Sequence, residues 1–179
     1  MGQLSSQDPH PFVCIAKDAI VLYLQAGQVA FPRENWYEQF HILRRQAGVF
    51  VTLRNNGELR GCIGTIEPIY PDTAVEIIEN AISAAFRDPR FSPVCAEELS
   101  GLSISVDIVK SMEPVLGLAD LNPSCYGVVV RQGSLQGLLL PGIDEITSVE
   151  EQVAIAREKG GIGEYGPVEL YRFEVDRYH

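Results

Sequence analysis

The chain has 179 residues, 46% of them hydrophobic and 21% charged, enough for one domain, or one domain with a small lobe, around a core of its own. Acids outnumber bases by 24 to 14, a net charge of −10, which argues against nucleic-acid phosphates and anionic membrane surfaces as partners. No apolar run approaches the roughly 20 residues of a membrane span, and the start lacks the basic and apolar blocks of a secretory signal; a cytoplasmic protein is expected.

Residues 1–11, "MGQLSSQDPHP", read as a flexible leader to a domain at 12–179. Gly2 with Ser6 formally fits the acylation pattern for an N-terminal glycine. "PFVCIAKDAIVLYLQAG" (11–27) has apolar residues at helical spacing between Pro11 and Gly27, with Asp8 or His10 as the cap. The mixed stretch that follows, with Pro32, reads as an extended connector with one turn. "VFVTLR" (49–54), the turn "NNGE" and "LRGCIGTI" (59–66) form a hairpin. "PDTAVEIIENAISAAFRD" (71–88) is the clearest helix, with Thr73 and Glu76 at capping-box spacing and Pro89 as its stop.

Alternation in "LSISVDIVKS" (102–111) predicts a half-buried strand, and 111–125 a long loop or subdomain crossing. "YGVVVRQGSLQGLLLP" (126–141) is a second hairpin turning at "RQGS". "SVEEQVAIAREKGG" (148–161) is a helix capped by Ser148, and "VELYRFEVDRY" (168–178) a last strand. Hairpins dominate and no βαβ alternation appears, so the expected fold is α+β with a mainly antiparallel sheet flanked by helices.

Candidate chemistry gathers between 54 and 90. In an extended strand Arg60, Cys62 and Gly64 share one face, and Leu59, Gly61, Ile63 and Thr65 the other. Two glycines inside a strand point to a bulge or to close approach by backbone or ligand. Cys62 is therefore either a thiol activated by a nearby arginine or a small packed side chain. Glu76, Asn80, Ser83 and Arg87 form a polar stripe on the helix, and "RDPRF" adds Asp88 and Arg90. Every base in this region is an arginine, which suits carboxylate or phosphate, although a solvated helix face with local ion pairs is the commoner outcome of such a pattern. General acid–base work would fall to Cys62 or to carboxylates such as Glu79, Asp88 or Asp107. Four scattered cysteines without a CxxC pair suggest free thiols in a reducing compartment and no structural zinc.

"NGELRGCIGTIEP" (56–68) followed by "IIENAISAAFRDPRF" (77–91) resembles the AMMECR-one domain family, the AmmeMemoRadiSam system protein A sequences. The hairpin 126–141 and "VELYRFEV" resemble later blocks of that family, so the likeness runs from about 12 to 178. It implies a larger and a smaller subdomain with a cleft between them and LRGCIGT nearby. It also implies association with a Memo-like protein and a radical SAM protein, the domain being fused to the Memo-like one in some bacteria; no cofactor is expected. Family members often have LPQ where this chain has "LPGID", and some have a cysteine where Ala156 stands, so a role for that cysteine does not transfer. The resulting candidates are Cys62 as a catalytic thiol, with Arg60, Gly61, Gly64, Thr65, Asn80, Arg87, Asp88 and Arg90 binding a ligand. Three readings follow: a cleft for a small anionic ligand or a partner's segment, a thiol-dependent enzyme, or a non-catalytic docking module.

Overall fold

The computed structural model describes residues 9–179. The acylation pattern and all of the expected leader up to Asp8 lie outside the described residues. Pro11 opens α1 (Pro11–Ala26), and the His10 side chain accepts from the Phe12 amide at 3.3 Å as its cap. His10 also donates its backbone N–H to the His179 carbonyl and packs its ring on Phe12, Phe40 and Tyr178.

The architecture is α+β with antiparallel strand pairs, as the alternation of hairpins and helices predicts. The chain forms two compact units, one running up to Val109 together with Asp176–His179, the other Lys110–Val175. In the first, β1 (Val49–Asn55) lies between β2 (Glu58–Gly64) and β3 (Leu102–Val115). The β1–β2 turn is Asn56–Gly57, both at positive φ (51° and 86°), the combination a two-residue turn of the primed type needs. Val49, Val51 and Leu53 of β1 and Ile104, Val106 and Ile108 of β3 point into one core with α1 and α3 (Thr73–Phe86).

Helix α3 packs against β1, β2 and α1 and is capped by Asp72, whose carboxylate accepts from the Val75 amide at 2.9 Å. This corrects the expected Thr73–Glu76 box. Thr73 is fully buried and donates its hydroxyl to the Arg45 carbonyl, while Glu76 points at another segment. The expected connector also differs. It holds a short helix α2 (Glu34–Gln39) and a single 3-10 turn at His41–Arg44, because Trp36, Tyr37, Phe40 and Ile42 half-bury themselves on the core. Pro32 sits just ahead of that helix, where its missing N–H costs nothing.

The second unit places β4 (Gly127–Gln132) between β5 (Leu135–Leu139) and β6 (Glu169–Tyr178), with α4 (Val149–Lys159) over β4 and β5. Its core is Leu121, Val128, Val130, Leu139, Val153, Ala156 and Ile162. β3 continues to Val115, into the first part of the expected loop, where Arg172 of β6 donates to the Glu113 carboxylate at 2.8 Å. Among the described residues no helix is long and apolar enough to cross a membrane, and no three His, Cys, Asp or Glu side chains cluster as metal ligands.

Candidate functional site

Strand β2 pairs with β1 through one irregularity: Leu53 lies opposite Gly61 but Arg54 opposite Leu59, so Arg60 has no partner in the ladder. That is the bulge two strand glycines suggest, and it resets the simple alternation expected of Arg60. Gly61 faces α3, where any Cβ would run into the Ala84 carbonyl oxygen. Gly64 lies under the Phe50 ring, which occupies the place of a Cβ. Each glycine beside Cys62 is thus required by a packed neighbour.

Cys62 turns the other way from Gly61, so α3 covers the face opposite its thiol. The Cys62 Sγ lies 3.3 Å from the hydroxyl of Thr52, its cross-strand neighbour, and the residue is half-buried. Its backbone is held from the free side of the strand. Asp88 Oδ2 accepts the Cys62 N–H at 2.9 Å, and Arg90 donates from Nη2 to the Cys62 carbonyl at 3.3 Å. Asp88 and Arg90 are joined by two further side-chain bonds of 2.7 and 3.0 Å, and Asp88 also accepts the Arg90 amide. The "RDPRF" turn therefore supplies one donor and one acceptor to the edge strand, as a neighbouring strand would.

Arg60 leaves the ladder for Glu98, 38 residues on. Nε and Nη2 reach the two carboxylate oxygens at 2.6 and 3.0 Å, in a pair only 14% and 21% exposed. Arg60 Nη1 is buried without an acceptor. The guanidinia of Arg60 and Arg90 lie 5.9 and 5.4 Å from the centre of one ring, Phe91. Arg87, half exposed, sits 3.8 Å from Glu79 and 5.8 Å from the Tyr23 ring centre.

The Glu76–Asn80 part of the polar stripe on α3 is not a solvated face. Glu76 is fully buried and accepts from the Thr65 hydroxyl and from the amides of Ile69 (3.1 Å) and Tyr70 (2.9 Å). Asn80 donates to the Val49 carbonyl at 3.1 Å and reaches the Thr65 hydroxyl at 3.4 Å. The stripe ties down the segment leaving β2. Glu98 and Thr52 are the members of this network that the sequence did not single out. Nothing in local spacing links Glu98 to Arg60, 38 residues earlier.

Electrostatics follow from these pairs. The Arg90 fork beside Asp88, helped by the Cys62 and Arg90 amides and opposed by burial, lowers its carboxyl to about 2. Arg60, aided by the Cys95 amide, likewise lowers Glu98 to about 2. Glu97 first, then burial and Glu98, raises the exposed Cys95 thiol above its ordinary range.

A family model described as AMMECR1 matches residues 13–178. The chain belongs to the AMMECR1 family. A protein of Thermotoga maritima is 47% identical over 171 residues, covering 94% of this chain and 97% of its own length. Protein CA_C1420 of Clostridium acetobutylicum is 39% identical over 173 residues, which cover 96% of this chain but 36% of that protein. The crystal structure of the uncharacterised protein PH0010 from Pyrococcus horikoshii matches with a TM-score of 0.85 at 31% identity, over 93% of this chain and 88% of that one.

In this AMMECR1 domain the candidate residues fall into three linked groups. Asp88 and Arg90 gather around the Cys62 backbone, Arg60 joins Glu98 beside Phe91, and Thr65 joins Asn80 and Glu76. Arg87 stands apart from all three, on Glu79.

Proposed function

We propose that this AMMECR1 domain is a non-catalytic recognition module of the cytoplasm, acting with a Memo-like protein and a radical SAM protein. The observation that carries the reading is that each candidate ligand-binding arginine already meets a carboxylate: Arg60 meets Glu98, Arg87 meets Glu79 and Arg90 meets Asp88. A guanidinium so paired gains little from a second anion and loses its first partner by taking one. LRGCIGT and RDPRF then serve to hold a rigid frame. The Clostridium relative, most of whose length lies outside the match, supports a module that works beside other domains. Four unpaired thiols suit a reducing compartment.

The test is direct association of the chain with the Memo-like and radical SAM proteins of the same genome, measured by sedimentation velocity. A stable complex, unchanged by Cys62→Ala, is expected. No complex with either protein contradicts the reading.

Two alternatives each have one observation in their favour. Thiol chemistry is favoured by the half-buried Cys62 Sγ beside the Thr52 hydroxyl. Loss of pathway output in a Cys62→Ala variant of wild-type stability would put it first. A small anion at Arg60 is favoured by the unpartnered Nη1. Phosphate or acetate raising the melting temperature of the wild type but not of Arg60→Gln would support it.

A further inference from the structure

The second unit carries a groove of about 490 Å³ between one side of α4 and the residues around Leu118 and 162–164. Leu118, Val153, Ala154 and Ile162 give it an apolar lining. Glu150, Glu158 and Glu164 also line it, all exposed, and none of their carboxylates has a hydrogen-bond or ion-pair partner among the described residues. Arg157 is the single cation there. Its Nε and Nη2 are turned onto the carbonyls of Gly163 (2.8 Å) and Gly166 (3.1 Å), which fixes the loop forming the opposite wall. Ala154 and Glu158 follow Glu150 at steps of four on α4, so apolar and acidic positions alternate along the groove.

We propose that this groove docks a basic amphipathic segment of a partner protein. Apolar side chains at helical spacing would fill the lining, and Lys or Arg side chains would lie over Glu150, Glu158 and Glu164. Three unpaired carboxylates around an apolar floor are complementary to that chemistry and repel an acidic segment. The chain itself carries a net charge of −10, which disfavours a second copy as the occupant. The inference rests on the recognition reading above and gives it a surface and a partner chemistry.

The experiment uses the full chain and 15-residue peptides tiling the Memo-like and radical SAM proteins, with binding read by fluorescence anisotropy at low and high salt. Peptides combining Lys or Arg with apolar residues three and four apart should bind, and added salt should weaken them. The triple variant Glu150→Gln, Glu158→Gln, Glu164→Gln should weaken that binding about tenfold or more. Leu118→Asp should weaken it too, and none of these exposed substitutions should alter the fold seen by circular dichroism.

Peptide binding indifferent to both variants overturns the proposal. So does an intact complex with either protein that forms normally with both variants, and in that case the recognition reading survives without the groove. Preference for a small organic cation over every peptide, or a dimer of this chain abolished by Leu118→Asp, also overturns it. Failure of both intact proteins to bind the wild type removes the recognition reading itself.

Discussion

Asp88 accepts the backbone amide of Cys62 at 2.9 Å from a side chain only 2% exposed. Arg90, held by the same carboxylate, donates to the Cys62 carbonyl. A five-residue turn after a helix thus closes the free side of a strand near the middle of LRGCIGT. Without it the strand would present an unpaired amide and carbonyl, the pattern that invites foreign strands.

Asp88→Asn removes the charge that holds Arg90 and weakens the bond to the Cys62 amide. The expected loss is about 2–4 kcal/mol, below that of a fully buried pair because Arg90 is half exposed. Urea unfolding reads it as a lower midpoint at unchanged slope. A loss under about 0.5 kcal/mol would mean the turn contributes nothing to the strand.

Acid should weaken the first unit in a defined window. Asp88 and Glu98 are lowered to about 2 in the folded chain, against roughly 4 when unfolded. The unfolded state therefore binds more protons between these values, and stability rises with pH. The contribution is fully present above about pH 5 and is lost as the pH falls through 4 towards 2. Asp88→Asn and Glu98→Gln should each flatten the melting temperature over that range. A wild-type curve already flat from pH 5 to 3 contradicts the pairing.

Neither glycine of the LRGCIGT motif should tolerate a side chain. Gly61→Ala drives a methyl into the Ala84 carbonyl, backbone that cannot turn aside, and should cost about 3 kcal/mol or more. Gly64→Ala meets the Phe50 ring and also the Val49 carbonyl, again backbone that cannot turn aside, and should likewise cost about 3 kcal/mol or more. Equal melting temperatures for Gly61→Ala and wild type would contradict the close approach of α3 to β2.

Thiol reactivity separates the four cysteines by environment. Cys95 and Cys125 are exposed, and Cys62 is half-buried. At neutral pH Cys125 should alkylate fastest, with Cys95 behind it because Glu97 and Glu98 disfavour its thiolate. Raising the pH should narrow that gap. Mass spectrometry of alkylated peptides measures all four at once, and a Cys62 that reacts ahead of Cys125 would favour thiol chemistry.

The hairpins, the helices and the antiparallel class were legible because their periodicities are local: "NNGE" sets a turn and Ser148 sets a cap wherever they occur. The two strand glycines also announced a bulge. What lay beyond local reading was the pairing of groups far apart. Arg60 looked available because Glu98 is 38 residues away, and while a local arginine partner for Asp88 is legible in "RDPRF", its bond to the Cys62 amide of another element is not. The stripe Glu76–Asn80 read as a solvated face since spacing alone cannot reveal that a loop lies over it. Short helices in the connector were missed because their stability comes from aromatic packing and not from their own propensity.

That LRGCIGT and RDPRF close on each other, and not on a ligand, is tested most directly by native-state hydrogen exchange at the Cys62 amide. In the wild type this edge-strand N–H should be protected to a degree comparable with the Leu53–Gly61 region, and Asp88→Ala should remove most of that protection while α1 stays protected. A Cys62 amide exchanging at the rate of an open chain in the wild type would contradict the closure.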